Sequence, residues 1–205
     1  MRYTGPKARL CRKEGVNLFG SPKYQKILGR NPNIPGMHGG KRLGKTSEYA
    51  KQLREKQKAK RMFGIAEKQF ANYFAKASRM HGVTGDILLE LLERRLDNVL
   101  YRAGFALTRA QARQFASHGL FLVNGRRVDI PSYEVRIGDK IEVRPSRASS
   151  SIFQKNRDEL GANLQVPSWL KADSKKLSVE IMEIPTRQNF EAIIEAQLIV
   201  EFYSR

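Results

Sequence analysis

Arg109, Arg113 and Ser117 recur at four-residue intervals and so share one face of a helix. Just beyond them, Asn124-Gly125 is the strongest short hairpin signal a sequence offers, and Arg126 and Arg127 follow it directly. Guanidinium, hydroxyl and amide groups grouped in this way can hold phosphate oxygens; none of them is placed to make or break a covalent bond. His118 stands at the end of the same helix, where a lone histidine reads as a structural or dipole-related residue rather than a catalyst. Arg94, Arg95 and Arg102 project from the preceding helix, which is predicted to run from Thr84 to Gly104 along Leu88, Leu91, Leu92, Val99 and Leu100.

Other chemistries find no such support. Cys11, His38, His81 and His118 have no recognised metal-ligand spacing, so no metal or cofactor is expected. Met37-His38-Gly39-Gly40 lacks the spacing of a phosphate-binding loop, and the adjacent Asp158 and Glu159 lie in a charged, solvated stretch. No catalytic constellation remains, and the chain is not expected to be an enzyme.

Charge points the same way. The 205 residues carry a formal +18, far more than solubility requires, and such a charge repels itself unless a polyanion neutralises it. It is uneven: residues 1–63 hold 17 Lys or Arg against 3 Asp or Glu, a balance of +14, whereas residues 158–205 hold 5 against 8, a balance of −3. Nucleic acid is the leading partner, approached from the N-terminal side, ahead of an anionic membrane surface. No apolar run reaches about 18 residues, and the first residues lack the apolar core of a secretory leader, so no membrane partner is expected.

The elements that would position these groups form an α+β chain. Thr108 and Gln111 make a capping box for the short basic helix, whose Ala112, Phe115 and Ala116 face a core. Strand 120–123, the hairpin, a return strand kept to an edge by Pro131, and a last strand 140–143 after Gly138-Asp139 complete a small unit over 92–145, with two helices on a short twisted antiparallel sheet. Residues 1–45 hold eight of the sixteen glycines and four of the eight prolines, and read as an extended basic arm ordered by RNA through Arg2, Lys7, Arg9, Arg12, Lys13, Lys41, Arg42 and Lys45. A helix capped by Thr46 or Ser47 runs to Met62 and places Lys51, Arg54, Lys58 and Arg61 on one face. Its apolar stripe is thin and no acids are interleaved among residues 56–61, so it is assigned to RNA contact. The stripe Phe70, Tyr73, Phe74 and Ala77 on a helix over 66–81 reads as core. Residues 146–184 are predicted to be a linker and a short hairpin, with strands 169–172 and 177–184 pairing across Asp173-Ser174. Asn189 caps a final helix from Phe190, and the apolar end 198–205 packs on the helices of 46–91, so that 46–91 with 185–205 form a helical domain.

The stretch Arg95-Leu96-Asp97-Asn98-Val99-Leu100, with Gly104, Thr108 to Arg113, His118, Val123-Asn124-Gly125, Pro131-Ser132-Tyr133 and Gly138-Asp139, resembles the RNA-binding domain named after the fourth protein of the small ribosomal subunit. The start, Arg2-Tyr3-Thr4-Gly5-Pro6-Lys7, is similar to that ribosomal protein family itself; so are Pro35-Gly36-Met37-His38-Gly39, Leu53 to Lys58, and Leu198 to Ser204. The resemblance implies a bacterial-type member, in cytoplasmic or plastid ribosomes. It implies a primary binder of the 5′ domain of small-subunit ribosomal RNA at a helix junction, one that nucleates assembly of the subunit body and contributes to translational accuracy. It brings Tyr3 into the RNA-facing set, the fifth small-subunit protein in as a neighbour, and messenger RNA in as a contact of Arg42 and Arg54 at the entry channel. The four-cysteine zinc knuckle of some members is not carried over, because Cys11 is the only cysteine. Two other readings stay open from the residues alone: an RNA-modifying enzyme using the domain as a grip, and a DNA-binding regulator.

Overall fold

The computed structural model describes residues 3–40, 46–148, 150–160, 166–173 and 177–204. In chain order its elements are α1 (Lys7–Glu14), α2 (Pro22–Arg30), α3 (Glu48–Met62), α4 (Glu67–Ala77), α5 (Thr84–Glu93), α6 (Leu96–Arg102), α7 (Arg109–Ser117), β1 (Phe121–Val123), β2 (Arg126–Val128), β3 (Lys140–Val143), α8 (Pro145–Ala148), α9 (Ser151–Leu160), β4 (Leu170–Asp173), β5 (Ser178–Ile181) and α10 (Ala196–Tyr203). They fall into two compact units, residues 1–88 with 191–205, and residues 89–190. No helix among the described residues is long and apolar enough to cross a membrane.

The first unit is helical. Ser47 Oγ accepts from the Ala50 amide and so sets the start of α3. Although polar in sequence, α3 buries Gln52, Glu55, Lys56, Ala59 and Met62. Gln52 Nε2 donates to Glu201 on α10 at 2.9 Å, and the Glu195 amide donates to Glu55 at 3.2 Å. Lys56 Nζ lies 4.6 Å over the Phe202 ring and 2.6 Å from Glu67. The C-terminal segment thus packs on the helices of 46–91, with Tyr203 stacked on Phe74 at 4.6 Å. The final helix begins at Ala196, not Phe190; Asn189 instead closes a 3-10 turn, Arg187–Asn189, with Thr186.

Residues 3–40 are not an extended arm. Pro22 occupies the first turn of α2, where its missing N–H costs nothing, and Gly15 ends α1 in the left-handed region at φ 70°. Leu10, Cys11 and Leu18 are buried. Eight or nine residues leave almost no periodicity to read, which is why the two helices were not expected.

Glu67 also receives Lys60 Nζ at 2.6 Å and the Tyr203 hydroxyl at 3.2 Å. Desolvation pushes its carboxyl up, but the hydrogen bonds from Lys56 and Lys60 outweigh this and hold it below its usual 4.5. A lowered carboxylate stabilises the fold above its unfolded value, and that stability is lost as pH falls through the folded value. Comparing Tm of the native protein with Glu67→Gln across pH 3 to 7 should show native the more stable near neutrality, with the difference closing from about pH 4.5 downward.

In the second unit the sheet has the order β2-β1-β3-β5-β4, antiparallel throughout. Ile141 pairs with both Val123 and Val179, all three buried. The segment 146–184 is therefore not a linker: its hairpin extends the sheet, and Phe153 of α9 packs edge-on against Phe115 and Phe121, at 5.5 and 5.9 Å. Asn156 seals this docking by donating to the Phe105 carbonyl at 2.9 Å. The turn expected at Asp173-Ser174 lies partly outside the described residues. The helix expected from Thr84 to Gly104 is broken at Arg94-Arg95. Arg95 has extended backbone (φ −69°, ψ 137°), and the Val135 amide donates to the Arg94 carbonyl, while Leu96 N–H donates to the Tyr133 carbonyl. Pairing with residues 131–135 thus takes over the hydrogen bonds that a continuous helix would have used.

Candidate nucleic-acid interface

Helix α7 starts where its cap dictates. Gln111 N–H donates to Thr108 Oγ1 at 3.2 Å, and Gln111 Oε1 reaches back to the Leu107 amide at 2.8 Å. Ala112, Phe115 and Ala116 are buried, which turns Arg109, Arg113 and Ser117 away from the core. Arg109 Nε donates to Asn98 Oδ1 at 2.8 Å while its guanidinium lies 4.4 Å over the Tyr101 ring. Arg113 Nη1 stands 3.4 Å from Asp97 Oδ2. Ser117 donates to the Gln114 carbonyl at 3.0 Å, and His118 is exposed at the helix end.

The hairpin is locked to that end. Asn124 and Gly125 both take positive φ, 50° and 77°, as a primed two-residue turn requires. Asn124 Nδ2 donates to Asp139 at 2.8 Å and its Oδ1 accepts from the Lys140 amide at 2.9 Å, so this side chain builds the turn. Arg126 and Arg127 are exposed beyond it. Arg127 folds across Gly119, which has φ 62°: a Cβ there would collide with Arg127 Nε and stand 2.9 Å from Nη2. Glycine suits the left-handed backbone here and leaves room for the hairpin guanidinium against the end of α7. Arg109, Arg113, Arg127 and Arg126 lie along one helix and the hairpin that abuts it.

Three other arginines of this unit, Arg94, Arg95 and Arg102, do not belong with them. Arg95, expected to project, has a fully buried side chain, with Nε 3.0 Å and Nη2 2.7 Å from the two Asp97 oxygens. The helix break that gives Arg95 its extended backbone turns it inward, so it is removed from the RNA-facing set. Arg94 binds Glu90 at 2.8 Å and the Val135 carbonyl at 3.0 Å, where it braces the same break. Arg102 is held by Glu93 at 2.8 Å.

In the first unit the basic face of α3 is largely answered within the protein. Arg54 and Arg61 both bind Glu14 of α1, whose side chain is 1% exposed, and Lys58 pairs with Glu55. Burial holds the Glu14 carboxyl above its ordinary range despite the Arg54 and Arg61 guanidiniums beside it. The acids missing from residues 56–61 in sequence are supplied by tertiary packing, from Glu14 and Glu67, and by Glu55 from the preceding turn of α3 itself. Lys51 pairs with Glu48 on the surface at 2.7 Å. On α1, Arg9 and Lys13 are exposed, Lys7 Nζ sits 5.1 Å over Phe19, and Arg12 donates to the Asn33 carbonyl at 2.9 Å. Tyr3 is half-exposed and donates to the Pro6 carbonyl at 3.2 Å. Arg2, Lys41, Arg42 and Lys45 lie outside the described residues.

Asn98 and Tyr101, which touch Arg109, were not among the expected site residues; an asparagine flanked by Leu96, Val99 and Leu100 was the one available signal of a buried polar role. Among the described residues no cluster of His, Cys, Asp and Glu could hold a metal ion.

Comparison with known proteins bears on what this surface serves. Residues 2–93 match the ribosomal protein S4/S9 N-terminal domain, and residues 94–141 match the S4 domain, so the two profiles meet where α5 ends. The chain is 49% identical over 208 residues to the small ribosomal subunit protein uS4 of Syntrophomonas wolfei subsp. wolfei, covering 100% of this chain and 99% of the relative. It is 47% identical over 199 residues to the protein of the same name from Borrelia duttonii, covering 97% and 96%. The Borreliella burgdorferi (strain ZS7) protein is 44% identical over the same length.

Proposed function

Because the chain belongs to the uS4 family of small ribosomal subunit proteins, we propose that this structural component binds the 5′ domain of small-subunit ribosomal RNA at a helix junction. That binding nucleates assembly of the subunit body and contributes to translational accuracy. The observation that carries the reading is the run of guanidiniums from α7 to the hairpin tip, built on a folded unit. Folded RNA offers phosphates at irregular spacing, which suits cations divided between a helix and a turn better than one duplex groove would. Arg9 and Lys13, exposed on α1, are further RNA contacts of this reading in the first unit. The fifth small-subunit protein is the expected protein neighbour in the assembled particle, and messenger RNA at the entry channel is a further contact of this reading.

The test is binding of the whole chain to a 5′-domain transcript by filter retention. Arg109→Ala should weaken affinity on the order of tenfold, the cost of one charge-assisted hydrogen bond, and lower the salt slope by about 1, with some loss of Tm because the buried Asn98 oxygen loses its guanidinium donor. Arg113→Ala, whose guanidinium is already 3.4 Å from Asp97, should weaken affinity with a smaller change of slope. Unchanged affinity for both variants, or failure of the native protein to co-sediment with small subunits through a high-salt gradient, would count against the reading.

A further inference from the structure

We infer that Asn98 is a positioning residue for RNA binding, holding Arg109 in its binding geometry before RNA arrives. The inference rests on the proposed role of Arg109 as a phosphate contact. Asn98 is buried within the second unit. Its Nδ2 donates both to the Glu93 carbonyl at 3.1 Å and to Glu93 Oε2 at 2.6 Å. Carbonyl and carboxylate oxygens only accept, so they fix which end of the amide carries the nitrogen. The oxygen must then face the other way, where Arg109 Nε donates to it at 2.8 Å. Glu93 is fixed in turn by Arg102, at 2.8 and 3.1 Å.

A chain of Arg102, Glu93, Asn98 and Arg109 therefore runs from the end of α5 through α6 to the first turn of α7. The last member is also fixed in plane, because its guanidinium lies 4.4 Å over Tyr101. With Nε bound and one face covered, rotation about the outer bonds of Arg109 is restricted. A long side chain ordered in advance avoids the entropy loss that a loose one would suffer on binding. Asn98 itself carries no charge that would attract RNA, so it acts only through Arg109.

The experiment is a double-substitution cycle on the whole chain with a transcript of the 5′ domain, reading affinity and Tm. Asn98→Leu keeps approximate volume but removes the acceptor. It should weaken binding several-fold in the native background and have no further effect in Arg109→Ala, so that the double variant binds like Arg109→Ala alone. A purely structural contribution would weaken both backgrounds equally, and that result would overturn the inference. Native affinity in Asn98→Leu, with Arg109→Ala weakened, would overturn it as well. If Arg109→Ala itself binds like native protein, the role of Arg109 fails, and that failure is separately visible. Should Asn98→Leu not fold, Arg109→Lys decides: it keeps the charge but cannot bind Asn98 through Nε while presenting a guanidinium fork, so its affinity should approach that of Arg109→Ala. Native affinity for Arg109→Lys would overturn the inference.

Discussion

Asp97→Ala will cost the second unit about 3–5 kcal/mol, the range found when one partner of a buried ion pair is removed. The Arg95 side chain is fully buried and Asp97 meets it through both carboxylate oxygens, at 3.0 and 2.7 Å. Taking away the carboxylate removes both of the Asp97 hydrogen bonds to a guanidinium held in the protein interior, at the point where α5 gives way to α6. Urea unfolding should show the loss as a lower midpoint at similar m. Charge rather than volume is responsible, so removing both partners, as in Arg95→Met with Asp97→Leu, should recover much of the loss. A loss below about 1 kcal/mol for Asp97→Ala would mean that water reaches the pair, and it would sink the argument.

That pair also marks where sequence reasoning stopped. The Thr108 cap, the Asn124-Gly125 turn and the edge position of β2 were legible because each depends on residues a few positions apart. The inward turn of Arg95 was not, since it follows from hydrogen bonds to residues 131–135, some forty positions away, that break the helix there. The same limit explains α3. Its stripe of cations lacks neighbouring acids in sequence, yet Glu14 and Glu67 arrive from α1 and α4, and Glu55 reaches Lys58 from within the helix. Residues 146–184 read as a linker and a short hairpin; the two strands of that hairpin were legible and do pair, but their joining the sheet was not, because it rests on the pairing of Val179 with Ile141. Helices α1 and α2 were hidden by brevity and by glycine and proline that serve as end signals. For the candidate site, Arg109, Arg113, Arg126 and Arg127 could be read directly, while the groups that hold them could not.

The ion pairs of α3 separate charge that is available to RNA from charge that is not. If the protein makes about 6–10 phosphate contacts, its affinity for a 5′-domain transcript should fall on the order of 10³–10⁵-fold between 50 and 200 mM salt. Each contact contributes through the counterion it releases, and a cation already paired within the protein releases little. Arg126→Ala with Arg127→Ala, both exposed at the hairpin, should therefore lower the slope of log affinity against log salt by about 2, with stability nearly unchanged. Arg54→Ala with Arg61→Ala removes the same formal charge but should leave the slope close to native. Its cost should appear instead in the first unit, because Glu14, 1% exposed in the native protein, loses the two guanidiniums it binds, a loss of about 1–3 kcal/mol. Equal slopes for the two double variants would show that α3 meets RNA after all, and that its internal pairs open on binding. Net charge cannot distinguish these outcomes, since both variants go from +18 to +16; the placement of Glu14 can.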